Sequence, residues 1–389
     1  MSGPELPTSI SPIEDAVSLH RQGRLDEAEK VYNRILKTRR DDFDALHLLG
    51  LLNHQRGKAG EAYRLITAAL KINPRSADAL SNLALVLHAL KRSAEAMAAF
   101  DKALALAPDH IDAINNRGNV LLELKRPAEA LAAFDQVLAL EQRHIQARIN
   151  RGNALAELGR PDEALADYDA ALAIQPGNPH ALYNKGNALR LLGRDAEAVA
   201  AYDRALAALP GHLGAWQNRG LALAALNRHQ EALESYRKVL AIQGDHADAN
   251  FNEALALLTL GDYRRGFEKY EWRWKRAGMG ARPRFRQRLW LGEYPLANKT
   301  ILLHAEQGLG DIIQFARYAP LLARAGATVV IEAPPELQEL LSGLQGVAVA
   351  GRGEPLPHFD VQCPLASLPL ACKTELANVP ADIPYLCAS

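Results

Sequence analysis

Asparagine recurs at Asn82, Asn116, Asn150, Asn184, Asn218 and Asn252, each 34 residues after the last. A fixed period of this length is the signature of stacked helix–turn–helix units. Other columns share the frame. Small residues recur at Gly50, Ala84, Gly118, Gly152, Gly186, Gly220 and Ala254, and again at Ala28, Ala62, Ala96, Ala130, Ala164, Ala198, Ala232 and Gly266. Aromatics stand at Tyr32, Phe100, Phe134, Tyr168, Tyr202, Tyr236 and Tyr270, with Ile66 as the one substitution. Pro74, Pro108, Pro176 and Pro210 mark unit ends. Small residues let antiparallel helices approach closely, the aromatic is expected to fill the gap to the next unit, and proline ends the second helix.

Counting back in this frame, units begin near Ser9, Phe43, Ala77, Ile111, Ile145, Pro179, Leu213 and Ala247. Each is expected to be a helix pair with a tight turn at Gly23, Gly57, Gly159, Gly193 or Gly261, replaced elsewhere by Lys91, Lys125 and Asn227. No unit can bury its apolar face alone, so stability must come from stacking. The pattern resembles the tetratricopeptide repeat (TPR) family over residues 9–276. The resemblance implies a mainly α fold: a right-handed superhelical α-solenoid of about eight helix pairs.

The frame position before the first small column is basic at Arg117, Arg151, Lys185 and Arg219. Sixteen residues upstream of each stands Asp101, Asp135, Asp169 or Asp203. The next junction reverses both signs, Arg237 with Glu253, and the earlier ones are neutral on both sides, Asn33 with Leu49 and Thr67 with Leu83. Charges that change together predict ion pairs between the second helix of one unit and the first helix of the next, each worth about 0.2–1 kcal/mol if exposed. A basic stripe so neutralised leaves no case for nucleic acid.

Asparagine is a poor helix-interior residue, so six at one position need a reason. One reading is a bond across the repeat interface. The other is a lining of the inner face, where an amide can both donate to and accept from a peptide backbone. Asn119, Asn153 and Asn187 repeat the residue one turn later on the same face. The N-x-G-N stretches resemble the asparagine ladder of the O-GlcNAc-transferase family. That likeness implies a protein or peptide partner held in the groove by Asn82, Asn116, Asn119, Asn150, Asn153, Asn184, Asn187, Asn218 and Asn252.

Formal net charge is zero, which removes any global attraction to nucleic acid or anionic membrane. No apolar run approaches a membrane span, and the acidic residues Glu5, Glu14 and Asp15 do not suit a signal peptide. Cys363, Cys372 and Cys387 are sparse, lack zinc-ligand spacing and suit a reducing cytoplasm. Neither a metal nor a cofactor is expected.

Residues 1–8 read as a flexible N-terminus and 277–297 as a basic linker. From Arg273 to Arg288 there are seven bases (Arg273, Lys275, Arg276, Arg282, Arg284, Arg286 and Arg288) and no acid, and Gly278, Gly280 and Pro283 interrupt any helix. A solvated linker is the expectation; an anion-binding rim is the alternative. Trp272 and Trp274 suit a cover for the last helix pair.

Residues 298–389 alternate strand and helix patterns, which implies a small α/β Rossmann-like domain with a parallel sheet. Strands are expected at 300–304, 328–332, 347–350 and 360–363, and helices at 312–325 and 335–344. Gly308, Gly310 and Asp311 form the turn after the first strand, where open α/β sheets bind ligands. As a dinucleotide fingerprint the loop lacks its third glycine, since Ile313 stands there. The stretch E-Q-G-L-G-D resembles the loop of heptosyltransferase-like GT-B glycosyltransferases. The order of repeats and loop is also similar to bacterial TPR proteins with a glycosyltransferase-like domain. The resemblance implies Asp311 as the base toward an acceptor hydroxyl. Such enzymes hold the nucleotide sugar mainly through a second half of about 150 residues. A nucleotide sugar is therefore expected only together with that half, and the leading expectation is a binding scaffold inactive alone.

Overall fold

The computed structural model describes residues 11–278, 282–283, 285–306, 308–382 and 384–386. The expectations for residues 1–8, Ser9, Gly280, Arg284, Gln307 and Cys387 lie outside the described residues. The chain divides into two compact units, Met1–Gly193 and Arg194–Ser389.

The first unit carries helices α1 (Pro12–Arg21), α2 (Leu25–Thr38), α3 (Phe43–Gln55), α4 (Ala59–Ile72), α5 (Ala77–Ala89), α6 (Ser93–Leu106), α7 (Ile111–Glu123), α8 (Pro127–Leu140), α9 (Ile145–Glu157), α10 (Pro161–Ile174) and α11 (Pro179–Leu191). The second begins with α12 (Asp195–Ala208), α13 (Leu213–Ala225), α14 (His229–Ile242), α15 (Ala247–Thr259) and α16 (Tyr263–Tyr270). Turns within pairs use left-handed backbone: glycine at Gly23, Gly57, Gly159 and Gly261, but Lys91, Lys125 and Asn227 at φ 62°, 58° and 58° in three others. First helices are capped by the Asp42, Ser76 or Asn178 side chain, as expected of those residue types. In α7, α9, α13 and α15 a histidine does the same work: Nδ1 of His110, His144, His212 and His246 accepts the third backbone N–H.

The aromatic column packs backward as well as forward. A Cβ added at Gly118 would lie 2.6 Å from the Phe134 ring, and one at Gly152 would lie 2.6 Å from Tyr168. Gly220 meets Tyr236 in the same way, and Gly50 would put its Cβ 2.5 Å from Ile66. Each large residue therefore seats on the small residue of its own pair and also shares a core with the next unit, Phe134 with Ala147 and Ala154, and Tyr32 with Leu46 and Leu49. Burial is complete for Tyr32, Phe100, Phe134 and Tyr202.

Beyond α16 the second unit continues through a 3-10 turn (Glu271–Lys275) into a five-stranded parallel sheet. Its strands are β1 (Arg288–Leu289), β2 (Thr300–His304), β3 (Thr328–Ala333), β4 (Val347–Gly351) and β5 (Val361–Pro364), in the order β1-β5-β2-β3-β4. Helices α17 (Leu309–Ala316), α18 (Ala319–Arg324), α19 (Pro335–Ser342) and α20 (Leu368–Ala371) complete it. Ile301, Leu303, Val329 and Ile331 share one core with Ile312, Phe315 and Leu341. On the opposite face Leu302 and Val330 meet Phe359, Phe285 and Leu356.

Three expectations change. The helix expected over 312–325 is two helices, because Pro320 has no N–H to continue the ladder and begins a new turn. Asp360 is not in the last strand; its carboxylate accepts the Thr300 N–H at 2.8 Å, holding the start of β2. The segment read as linker contains β1, which pairs with β5, and Trp290 donates its backbone N–H to Gln362 O at 2.9 Å.

The glycine contacts yield a prediction opposite to helix propensity. Gly→Ala inside a helix ordinarily gains up to about 1 kcal/mol. Gly152→Ala should instead lower stability by about 1–3 kcal/mol, because the added Cβ would lie 2.6 Å from the buried Tyr168 ring. Urea unfolding measures this, and adding Tyr168→Leu should recover part of the loss.

Candidate functional site

The expected junction pairs form. Arg117 Nε lies 3.3 Å from Asp101, Arg151 Nη1 2.8 Å from Asp135, and Lys185 Nζ 2.5 Å from Asp169. In the second unit Arg219 Nε lies 2.6 Å from Asp203, and the sign-reversed Arg237 Nε 3.4 Å from Glu253. Arg151 also grips buried Asp167 with two bonds of 2.7 and 2.6 Å. Sequence reasoning passed over Asp167, because its column carries no repeated charge: Val31, Leu65, Ala99, Ala133, Ala201 and Ser235 stand at the equivalent positions. The basic stripe is thus engaged in stacking contacts that set register.

The asparagine face is partly spent on the same task. Asn150 Nδ2 donates to Asn119 Oδ1 at 2.6 Å, and Asn184 Nδ2 donates to Asn153 Oδ1 at 2.8 Å. Each bond joins the leading asparagine of one unit to the trailing asparagine of the unit before. Gln146 Nε2 donates to Asn150 Oδ1 at 2.9 Å, and the Tyr168 hydroxyl to Asn153 Oδ1 at 2.8 Å. Asn82 Nδ2 donates to His47 Nε2 at 2.9 Å. The amide groups of Asn82, Asn150 and Asn184 are therefore engaged within the array, as the reading of a bond across the repeat interface has it. Where the preceding unit offers leucine instead, at Leu85 and Leu221, Asn116 and Asn252 make no side-chain hydrogen bond among the described residues. The NH2 groups of Asn119 and Asn153 are likewise uncommitted there. Asn187 and Asn218 occupy the corresponding frame positions, and both are half-buried.

The run of bases does not behave as a solvated linker at its start. Arg273 is completely buried. Its guanidinium makes two bonds to Glu306, at 3.1 and 2.8 Å, one to Glu271 at 2.6 Å and one to Ser367 Oγ at 2.8 Å. Ser367 in turn donates to Glu271 at 2.7 Å, and Arg282 binds the other Glu271 oxygen at 2.8 Å. Burial works against the Arg273 charge, but the two carboxylates more than offset it, and the guanidinium is held above its ordinary pKa. Trp274 stacks under Arg273 at 4.8 Å. The cluster ties the end of the repeats to Glu306, which opens the Gly308–Asp311 loop.

Gly308 caps α17, and Gly310 and Asp311 lie in its first turn. Asp311 is half-buried, and among the described residues its carboxylate has no hydrogen-bond or ion-pair partner. It lines a cleft of about 400 Å³. One wall is supplied by Leu255, Leu258, Tyr263 and Tyr270 of α15 and α16. His304 at the end of β2 is buried, and its Nε2 meets Gln362 Oε1 at 2.8 Å, so it stands in the sheet rather than in this cleft. Among the described residues no cluster of His, Cys, Asp and Glu could hold a metal, and no helix is long and apolar enough to cross a membrane.

Two outcomes follow. Arg273→Met should cost about 3–5 kcal/mol, since it leaves Glu306 buried without a cation; chemical unfolding read by tryptophan fluorescence tests this, and adding Glu306→Gln should recover part. The second concerns His47. Burial holds its imidazole below the ordinary value, with Asp78 and Asp44 partly opposing. The folded state then binds fewer protons than the unfolded one, so stability should fall as pH drops below about 6.5 toward the folded value. His47→Gln should flatten that slope in urea titrations across this range.

Family models of the tetratricopeptide repeat match residues 75–143, 115–179, 155–218 and 214–246. A model of anaphase-promoting complex (cyclosome) subunit 3 matches residues 21–103. No curated protein matches the chain. Among solved structures the chain is similar to a tetratricopeptide repeat protein from Parabacteroides merdae, at 19% identity and a TM-score of 0.51, over 63% of this chain and 97% of that one. It is also similar to the Cut9–Hcn1 hetero-tetramer of the APC/C, at 16% identity and a TM-score of 0.53, over 68% of this chain and 52% of that one. Likeness at such identities concerns the fold, and it agrees with the 34-residue columns and the helix pairs they form: the chain is a tetratricopeptide-repeat protein.

Proposed function

We propose that the array binds an extended protein or peptide segment, in the first unit along the face carrying Asn82, Asn116, Asn119, Asn150, Asn153, Asn184 and Asn187, with Asn218 and Asn252 as the corresponding frame positions of the second unit. A repeat scaffold of this kind suits such a partner, since stacked pairs present a long surface rather than one pocket. The observation that carries the reading is the set of uncommitted amide groups at Asn116, Asn119 and Asn153. Bonds between units hold this face in order, and the remaining donors match the carbonyls of an extended chain. Sparse, unpaired cysteines fit a reducing cytoplasm as its setting.

A second reading concerns the sheet. The unpartnered Asp311 carboxylate, in a cleft walled by the last repeat, favours group transfer to an acceptor brought there by the array, with Asp311 as base and a nucleotide sugar supplied through a second half. A donor-hydrolysis assay with a panel of nucleotide sugars tests it; turnover abolished by Asp311→Asn is the supporting result.

For the binding reading, peptides selected on the protein from a random library are the probe. Changing Asn116, Asn119 and Asn153 together to Ala should weaken them by about 2–4 kcal/mol in calorimetry, at about 0.5–1.5 kcal/mol per bond. Helix content by circular dichroism should hold or rise slightly, because Ala is the better helix former. Unchanged affinity would assign the asparagines to stacking alone.

A further inference from the structure

Within the first unit, successive first helices meet one another along a single face. His20 Nε2 lies 2.9 Å from Gln55 Oε1, Asn82 Nδ2 meets His47, His88 Nε2 lies 2.7 Å from Glu123, and Asn150 donates to Asn119. These bonds join α1 to α3, α3 to α5, α5 to α7 and α7 to α9. The charge of this face is one-sided. Helices α3 and α5 contain no lysine or arginine. Those of α7 and α9 are Arg117, Arg148 and Arg151, and each lies against a carboxylate of a second helix, Asp101, Asp167 and Asp135 respectively. What the face itself exposes is Asp44, Asp78, Asp112, Glu123 and Glu157.

Helix stability does not account for these acids. An aspartate in a first turn favours its helix, as Asp44, Asp78 and Asp112 do. Glu123 and Glu157, however, end α7 and α9, where the macrodipole opposes an acid. Neighbours do not cancel the charge either. Asp44 and Asp112 have no hydrogen-bond or ion-pair partner among the described residues. His110 accepts its cap N–H at Nδ1, so it meets Asp78 at 2.7 Å as a neutral donor and leaves that carboxylate's charge in place.

Helix α7 carries a second observation. Asp112, Asn115, Asn116, Asn119 and Glu123 follow at spacings of three and four, so they share one side of the helix. Asn115 is only 9% exposed, and its Oδ1 is buried without a hydrogen-bond partner. A buried carbonyl oxygen is costly unless a donor reaches it. One turn away stands the unpaired Asp112 carboxylate. Both groups of oxygens can only accept, and a lysine ammonium or arginine guanidinium can only donate.

Resting on the binding reading above, we propose that the segment held by the first unit is basic: an extended stretch bearing Lys or Arg, with one cationic head seated between Asp112 and Asn115. The amides of Asn116 and Asn119 take its backbone carbonyls without regard to sequence, and the carboxylates along the face choose its charge. Neutral or acidic segments gain the same backbone bonds but leave the Asn115 oxygen and the carboxylates unanswered.

The test is selection of a random peptide library on the full chain at low ionic strength. Wild type should enrich Lys and Arg and deplete Asp and Glu, and the selected peptides should bind more weakly as salt rises. Asp112→Asn and Asn115→Leu should each weaken those peptides roughly 3- to 10-fold, and the Asp112→Asn loss should shrink at high salt. Asn115→Leu also separates binding from folding. It removes an unsatisfied carbonyl, so stability in urea should hold or rise while affinity falls; lower stability with unchanged affinity would make Asn115 structural and overturn the seat. Selected peptides that need Asn116, Asn119 and Asn153 but show no cationic consensus would overturn the charge preference and leave the groove standing. Cationic peptides indifferent to both Asp112→Asn and Asn115→Leu would do the same. Peptides indifferent to the three asparagines would overturn the groove itself, and the basic segment with it.

Discussion

The contact between a glycine on a first helix and a ring on the second sets the geometry of every pair in which it occurs. With the Phe134 or Tyr168 ring closer than a Cβ would allow, the two helices have one separation and one rotation about each other. That rotation decides which side chains face the next unit. It turns Arg151 toward Asp135 and Asn150 toward Asn119, and it leaves Asn116 with an open amide. The exposed chemistry of the array is thus a by-product of a steric fit in its interior, repeated until small differences between units become a pattern along the face.

Charge and amide contacts add order rather than much strength. The junction pairs lie at half-exposed sites, where each is worth a few tenths of a kcal/mol to about one. Their value is discrimination: a slip of one unit would set Arg237 against Arg219, or Glu253 against Asp203. The amide bonds act in the same sense at the center of the array, where both members of the N-x-G-N stretch are present.

Much of the fold was legible because it repeats. Helix starts at Phe43, Ala77, Ile111, Ile145, Pro179, Leu213 and Ala247 fall where the 34-residue frame puts them, and covarying charges within one chain revealed Asp135 and Arg151 as partners. Where a feature occurs once, the frame is silent. Arg273 sits in a run of bases that reads as solvent-exposed, and its burial depends on Glu306 and Ser367, 33 and 94 residues away. Two-residue β1 is too short to show alternation. Histidine as a helix cap escaped notice because the usual capping residues are Ser, Thr, Asp and Asn. At the candidate site the positions were legible from the asparagine column, but the division between amides that bind a neighbour and amides left open was not. At Asn116, Asn150, Asn184 and Asn252 it follows whether the residue 31 positions back is asparagine or leucine, while Asn82, with Leu51 behind it, bonds His47 instead.

Helix α16 belongs to two interiors. Gly266 and its neighbours close the last repeat against α15, while Phe267 and Tyr270 pack onto the core of the sheet, and the Arg273 cluster seals the seam. An array of repeats must end on a surface that water tolerates, and here a folded sheet does that work in place of a polar helix. The change of architecture at this point is therefore not a change of folding unit. Heat or denaturant should meet the last repeats and the sheet as a single cooperative body, and a protease should find no cleavable hinge between Tyr270 and Arg273.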